Sequence, residues 1–400
     1  RNVVTFGAAR LGDMNVARAA QQGRTGRHGF LFSDTYRYCM LAACDAREGR
    51  LPMAADQFRH ALVQAERDAG RRSAAASLPA AFLAAIHYEW NQLDRAEELL
   101  AGRLDVIEES CLAEAALCSH LVLVGLHAAH QQHDEAHRVL DAAEALAERN
   151  GWPRLQCEYL ARRIWLWHQQ GDAAGAQRTL DRLHQTIARY PPIDDPVTLA
   201  DIQQCQRLAE ARVLLHSGRH TAAARLLEGL VETGRNGTRQ GAAVLPRLML
   251  AAIRLAGGDA DTAISQARSV LSEEGSASLL RTLVDEMTWI SPLLEALSNA
   301  HRIEEMLRTR VRLVLRTAAP HPVASGRVRE GEGVATLSQR ELAILKLVAD
   351  GCTNKHIAKH LHITPATVKW HLKNIFAKLD VGSRALAVHR AHALALIAPG

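Results

Sequence analysis

The chain has 400 residues, of which 48% are hydrophobic and only 4% aromatic, and a formal charge of +5. That length holds two or three domains with ample core, and the shortage of aromatics beside many Ala and Leu favours helices. No apolar run approaches the roughly eighteen residues of a membrane span, and the first residues lack the basic-then-apolar order of a secretory signal, so a cytoplasmic protein is expected, with no membrane partner.

The sequence starts on Arg1 rather than Met and reads as the C-terminal part of something longer. Residues 1–34, with DMNVARAAQQ, read as an incomplete first helical hairpin or an N-terminal extension. From residue 35 to about 316 a turn element followed five residues later by Ala recurs: Gly49 and Ala54, Asn91 and Ala96, Gln131 and Ala136, Gly171 and Ala176, Gly218 and Ala223, Gly258 and Ala263. The spacings are 42, 40, 40, 47 and 40, the long one containing the Pro-rich YPPIDDP at 190–196. Helical patterns flank each turn, such as LAAIHYEW before Asn91 and RAEELLAGRL after it. A period near 40 built from two helices reads as an α-solenoid, with the Ala small because the second helix crosses the first closely there. HEAT-like or bundle packing of the same helices is the alternative.

Several features inside this region invite a chemical reading. His127, His130, His133 and His137 cluster near the third turn, and HDEAH at 133–137 sets two His four apart. A zinc hydrolase needs Glu beside the first His as base; Asp134 stands there, Glu135 points to another face, and no third ligand is indicated. Solvent-facing turn histidines are the plainer account. Trp152, Trp165 and Trp167 lie in apolar helical patterns and read as core. The seven cysteines, Cys39, Cys44, Cys111, Cys118, Cys157, Cys205 and Cys352, include no C-x-x-C and read as small hydrophobes in a reducing compartment. No P-loop and no G-x-S-x-G is present, so nothing supports ATP hydrolysis or a serine nucleophile, and no cofactor is implied.

Residues 317–335 hold two Pro and three Gly without periodicity and read as a flexible linker. After it the charge changes. Residues 336–400 carry six Lys and three Arg against two Asp and one Glu, a net +6, which leaves −1 for everything before them; no Lys precedes Lys346. Positive charge is concentrated where a nucleic acid would sit.

The elements of 336–400 follow from caps and spacing. Ser338 and Glu341 form a capping box for a helix that stops at Gly351. A second short helix spans 353–361, with Ile357, Ala358 and Leu361 inward. Thr364 caps a third, TPATVKWHLKNIFAKL, whose Val368, Leu372, Ile375 and Leu379 fall on one narrow stripe. Its opposite side holds Ala366, Trp370, Lys373 and Ala377, slim and basic enough to enter a DNA major groove roughly 12 Å wide. A fourth helix runs from Ser383 to Ile397. Two helices joined by a tight turn, the second presenting the basic face, make a helix-turn-helix.

The pieces L-S-x-R-E at 337–341, G-x-T-N-K-x-I-A at 351–358, T-V-K-x-H at 367–371 and I-F-x-K-L-x-V-x-S-R at 375–384 resemble the LuxR-type (NarL/FixJ/GerE-like) DNA-binding domain over about 60 residues. Thr353 and Thr364 stand where that family often has Ser, and His356 replaces a usual Glu. The repeat region resembles the tetratricopeptide-like sensor region of the MalT-type subgroup, whose members carry a nucleotide-binding module ahead of it. The fold expected is therefore all-α: a TPR-like α-solenoid at 35–316, a linker at 317–335 and a four-helix DNA-binding domain at 336–400.

The function expected is sequence-specific transcriptional regulation on double-stranded DNA. Groove geometry and the resemblance both place Lys369, Trp370 and Lys373 at base edges. Thr353, Asn354, Lys355, Thr367, His371, Asn374 and Lys378 are assigned to phosphates. The fourth helix exposes more apolar surface than a small core needs, so Leu386, Val388 and Leu394 are assigned to a homodimer contact on paired half-sites. A small-molecule inducer or a protein would act on the repeats, and RNA polymerase is a candidate partner. The competing readings are a helical-repeat scaffold that ignores DNA and a zinc-dependent hydrolase built on His127–His137.

Overall fold

The computed structural model describes residues 14–20, 31–190, 193, 195–236, 243–273, 276, 278–300, 303–318, 339–349, 351–361, 368, 371, 372, 375, 376, 379, 381 and 384–393. They fall into two compact units, Arg1–Ala318 and Ala319–Gly400. Among the described residues every regular element is a helix.

Among the described residues the first unit opens with α1 (Met14–Ala19), whose Arg18 pairs with Asp45 at 2.8 Å. Hairpins follow: α2 (Leu31–Arg47) with α3 (Leu51–Ala69), α4 (Ala74–Glu89) with α5 (Leu93–Leu100), then the single helix α6 (Leu104–Ser110). Next come α7 (Ala113–Ala129) with α8 (His133–Arg149), α9 (Pro153–Gln169) with α10 (Ala173–Arg189), α11 (Pro196–His216) with α12 (His220–Asn236), and α13 (Val244–Ala256) with α14 (Ala260–Ser272). Three further helices close the unit: α15 (Leu280–Asp285), α16 (Met287–Asn299) and α17 (Glu305–Ala318). The recurring pairs thus begin at Leu31, and α17 takes in 317 and 318; the rest of the expected linker lies outside the described residues.

The repeated turn has one geometry throughout. Gly49, Asn91, Gln131, Gly171, Gly218 and Gly258 all have positive φ, from 56° to 91°. Each donates its N–H to the carbonyl three residues back, and the next residue donates to the carbonyl five back, for example Gln131 to Ala128 at 3.0 Å and Gln132 to His127 at 2.8 Å. These paired bonds satisfy the last carbonyls of the first helix and reverse the chain. The alanines at Ala54, Ala96, Ala136, Ala176, Ala223 and Ala263 are all 0% exposed. A larger side chain at any of them would push the paired helices apart, so turn and alanine together set the hairpin.

Asn91 and Gln131 hold the left-handed conformation without being glycine, at φ 56° and 59°. The Asn91 side chain accepts a bond from Arg281 at 3.1 Å, while Gln131 is exposed. Gln131→Gly is expected to raise the unfolding free energy by about 1 kcal/mol by relieving that conformation. Asn91→Gly should gain less, because the Arg281 bond goes with the side chain. Urea unfolding of both variants checks the order.

The sequence pattern after Asn91 reads as one continuous helix, and the structure breaks it. Gly102 adopts φ 68°, and the chain resumes as α6. The cause is Arg103, 1% exposed, which turns inward to donate to Arg71 O at 2.7 Å and to pair with Glu66.

The second unit contains α18 (Gln339–Ala349), α19 (Asn354–His360) and α20 (Arg384–Ala393), with the described residues between 368 and 379 packed among them. Gly351, at φ 75°, ends α18; it donates to Val348 O at 3.1 Å, and Cys352 donates to Leu347 O at 3.0 Å. The expected partner of Glu341 in the capping box, Ser338, lies outside the described residues; Glu341 itself is buried.

Candidate nucleic-acid interface and the inner face of the repeats

The stripe expected on the third helix of the second unit is its core. Val368 and Ile375 are 0% exposed, Leu379 2% and Leu372 6%, and they pack with Ile344, Leu345, Val348, Ile357, Ala387 and Ala391. Burying four residues at three- and four-residue intervals fixes which side of that helix turns away from the domain. Lys369, Trp370, Lys373, Thr367, Asn374 and Lys378 lie outside the described residues, as does Leu394.

Three of the residues assigned to phosphates are described on α19 or its cap. Thr353 caps the helix, its Oγ1 accepting from His356 N at 3.3 Å. Lys355 is exposed, as are His356, Lys359 and His360, so α19 carries a basic outer face at its start and end. Asn354 is half-buried and its Oδ1 accepts from Arg384 Nη1 at 3.1 Å. Arg384 also donates to Cys352 O, which ties the start of α20 to the start of α19. Periodicity carried no hint of this clamp; the only signal was the Ser-Arg pair closing the last motif.

His371 departs from its assignment. It is 5% exposed and sits on the packed side of its helix, next to Leu372. A side chain so enclosed does not present its ring to a phosphate; the period puts it one step from the apolar stripe, and packing draws it inward. On α20, Leu386 is 54% exposed, whereas Val388 is half-buried against the domain's own core.

The first unit holds a second constellation that the sequence did not announce. The short helix α15 is bonded to α4 and α9, and Glu286, directly after it, reaches α11. The Asp285 carboxylate accepts from Tyr88 Oη at 2.8 Å, Arg162 Nη2 at 3.1 Å and Arg281 Nε at 2.7 Å. Its backbone carbonyl accepts from Trp165 Nε1 at 2.8 Å and Gln169 Nε2 at 3.0 Å. Glu286, 3% exposed, pairs with Arg212. Thr282 donates N–H and Oγ1–H to the two oxygens of Glu89, at 2.9 and 2.8 Å. Trp165 is core, as expected, but its indole N–H also serves this contact.

Burial pushes the Glu89 carboxyl up to about 7; the Asp285 charge adds to this, while the Thr282 bonds and Arg281 oppose it. The folded state therefore holds a proton that the unfolded chain has lost. The stability this confers is complete below the ordinary carboxylate range and is lost as pH rises through about 7. The melting temperature should fall between about pH 5 and pH 8, and Glu89→Gln should flatten that dependence. Nearby, burial and then the charges of His216 and Arg212 lower His168 to about 4. The His168 ring lies 4.9 Å from His216 and 5.4 Å from Trp289.

The histidines near the third turn take separate partners. His127 Nδ1 bonds Gln132 at 2.8 Å; His137 lies 4.1 Å from the Trp167 ring and bonds Gln170 at 2.9 Å. Among the described residues no three His, Cys, Asp or Glu side chains converge as metal ligands, and no helix is long and apolar enough to cross a membrane.

Comparison with known proteins matches both units. The family model of the MalT-like TPR region covers residues 13–300, and that of bacterial regulatory proteins of the luxR family covers residues 335–391. The HTH-type transcriptional regulator AlkS of Ectopseudomonas oleovorans is 38% identical over 78 residues, 20% of this chain and 9% of AlkS. The transcriptional regulatory protein LiaR of Bacillus subtilis is 30% identical over 177 residues, 41% of this chain and 83% of LiaR. The HTH-type transcriptional regulator MalT of Vibrio campbellii is 24% identical over 329 residues, 75% of this chain and 34% of MalT. The chain thus spans under a tenth of AlkS and about a third of that MalT.

Proposed function

The chain belongs to the MalT-like group of luxR-family regulators, and from that premise we propose that it binds double-stranded DNA sequence-specifically, as a cytoplasmic regulator of transcription. The observation that carries this is the buried stripe of Val368, Leu372, Ile375 and Leu379. With those four turned inward, the helical period assigns Lys369, Trp370 and Lys373 to the side away from the core. There the lysines donate to guanine O6 and N7, and Trp370 packs on a thymine methyl. Thr353, Lys355, Thr367, Asn374 and Lys378 meet phosphates and set register. Asn354 does so while held by Arg384. Leu386, exposed on α20, is the apolar contact of a homodimer on paired half-sites, with Leu394 eight residues further on and Val388 contributing at its edge. The repeats form the controlling part, on which a small inducer or a protein acts, and RNA polymerase is the partner downstream.

A binding titration of the full chain separates these roles. Lys373→Ala is expected to cost about 1–3 kcal/mol on the preferred site and to flatten preference at one base pair. Lys355→Ala should weaken all sequences alike and reduce the salt dependence by about one phosphate contact. Identical sequence profiles for both variants would remove the base-reading assignment.

A further inference from the structure

Helices α4 and α9 grip one residue, Asp285, at both ends. Tyr88 Oη and Arg162 Nη2 hold its carboxylate, and Trp165 Nε1 and Gln169 Nε2 hold its main-chain carbonyl. All four donors come from α4 and α9, 116 to 197 residues away in sequence. In an aspartyl residue the carboxyl and carbonyl carbons are joined through two carbons, as the carboxyls of succinate are. The donor set is therefore complementary to a short dicarboxylate skeleton.

The fold aims two of the donors without help from Asp285. Tyr88 is seated against Gly125 of α7, where a Cβ would lie 2.1 Å from Oη, so the notch orients the phenol. Arg162 lies over the Trp165 ring at 3.5 Å, which fixes the guanidinium. Other charged groups face the site. Arg281 and Thr282 belong to α15 and leave with it, so Glu89 of α4 stays as a carboxyl beside the site, and Arg212 of α11, whose partner Glu286 directly follows α15, stays as a further cation. His168, 5% exposed, has neither ring nitrogen hydrogen-bonded among the described residues, and it feels the Arg212 charge. Its ring packs against His216 and Trp289 instead of facing Asp285's donors.

We infer that Tyr88, Arg162, Trp165 and Gln169 form a binding site for small dicarboxylic acids of the succinate type, which α15 fills with its own Asp285 and which a free acid enters by displacing α15. This rests on the repeats being the controlling part of the regulator and names the class of molecule that acts there. Buried ion pairs recover little more than their own desolvation cost. An acid in the site takes over the bonds of Asp285, and its binding has to outweigh what else α15 gives up: Thr282 to Glu89, Glu286 to Arg212 and the buried Leu283. The exchange frees α15 from α4 and α9, which it otherwise joins.

The test uses the full wild-type chain with succinate, malate and, as a one-ended control, acetate. Amide hydrogen exchange is read at 280–286, and affinity by calorimetry. Succinate or malate is expected to bind and to speed exchange at 280–286 several-fold while leaving 31–69 unchanged; acetate should do neither at the same concentration. Arg162→Met takes the same bond from Asp285 and from the entering acid, so it should raise exchange at 280–286 in the absence of acid and shrink the further rise that succinate or malate produces. Unchanged exchange at 280–286 with saturating succinate and malate, or an equal effect of acetate, would overturn the inference. An electrophoretic mobility shift on the same samples keeps the two proposals apart. DNA binding with no response to acid sinks only the acid site. A response to acid without DNA binding supports the acid site and sinks the DNA-binding proposal.

Discussion

Asp285→Ala is expected to lower the unfolding free energy of the repeat unit by about 3–5 kcal/mol, the range for removing one partner of a buried charge network. The carboxylate is 7% exposed at residue level and accepts from Tyr88, Arg162 and Arg281. Its loss leaves Arg162 and Arg281 without their shared carboxylate, and the Tyr88 hydroxyl, which still accepts from Arg281 Nε at 3.2 Å, without an acceptor for its own proton. Removing a positive charge as well should return part of the loss, so Asp285→Ala combined with Arg162→Met should fall short of the sum of the single effects. Urea midpoints of the four proteins in that cycle decide the matter. A loss below about 1 kcal/mol for the single Asp285→Ala change would mean that α15 is docked by its apolar residues alone.

Ile375→Ala should abolish DNA binding without touching any residue proposed to meet DNA. Ile375 is 0% exposed at the centre of the second unit's core, and truncating such a side chain costs about 2–5 kcal/mol. A single core in so small a unit rarely supplies more than about 3–5 kcal/mol. The domain should therefore be largely unfolded at growth temperature, while the thermal transition of the repeat unit stays in place. Calorimetry would show the smaller transition missing and the larger one unmoved. A mobility shift that persists at full affinity would show that the stripe is not what holds the helix.

Where a short-range rule decides a position, the sequence was sufficient. A positive-φ residue followed five residues later by a fully enclosed Ala is a local constraint, and all six turns were readable from it, Asn91 and Gln131 included. The third helix of the second unit was equally legible, because a three- and four-residue apolar period leaves one possible inward side. The failures share a cause as well. The break at Gly102 depends on Arg103 reaching Glu66 and Arg71, more than thirty residues back. The docking of α15 depends on pairs such as Tyr88 and Asp285, 197 residues apart, in a unit where every long cation is Arg and no single one stands out. His371 was misplaced because it lies at the edge of the apolar stripe, where neighbouring side chains rather than periodicity decide the side.

The contacts of α15 also alter how the repeat unit should come apart. A stack of hairpins touching only its nearest neighbours frays from its ends, each hairpin opening on its own account. Bonds from Asp285 and Thr282 back to Tyr88 and Glu89 instead close a ring through the intervening hairpins. Opening any one of them then strains the closure, so the stretch from α4 to α15 should melt as a single block, and a nick within it should hold the pieces together until that closure is cut.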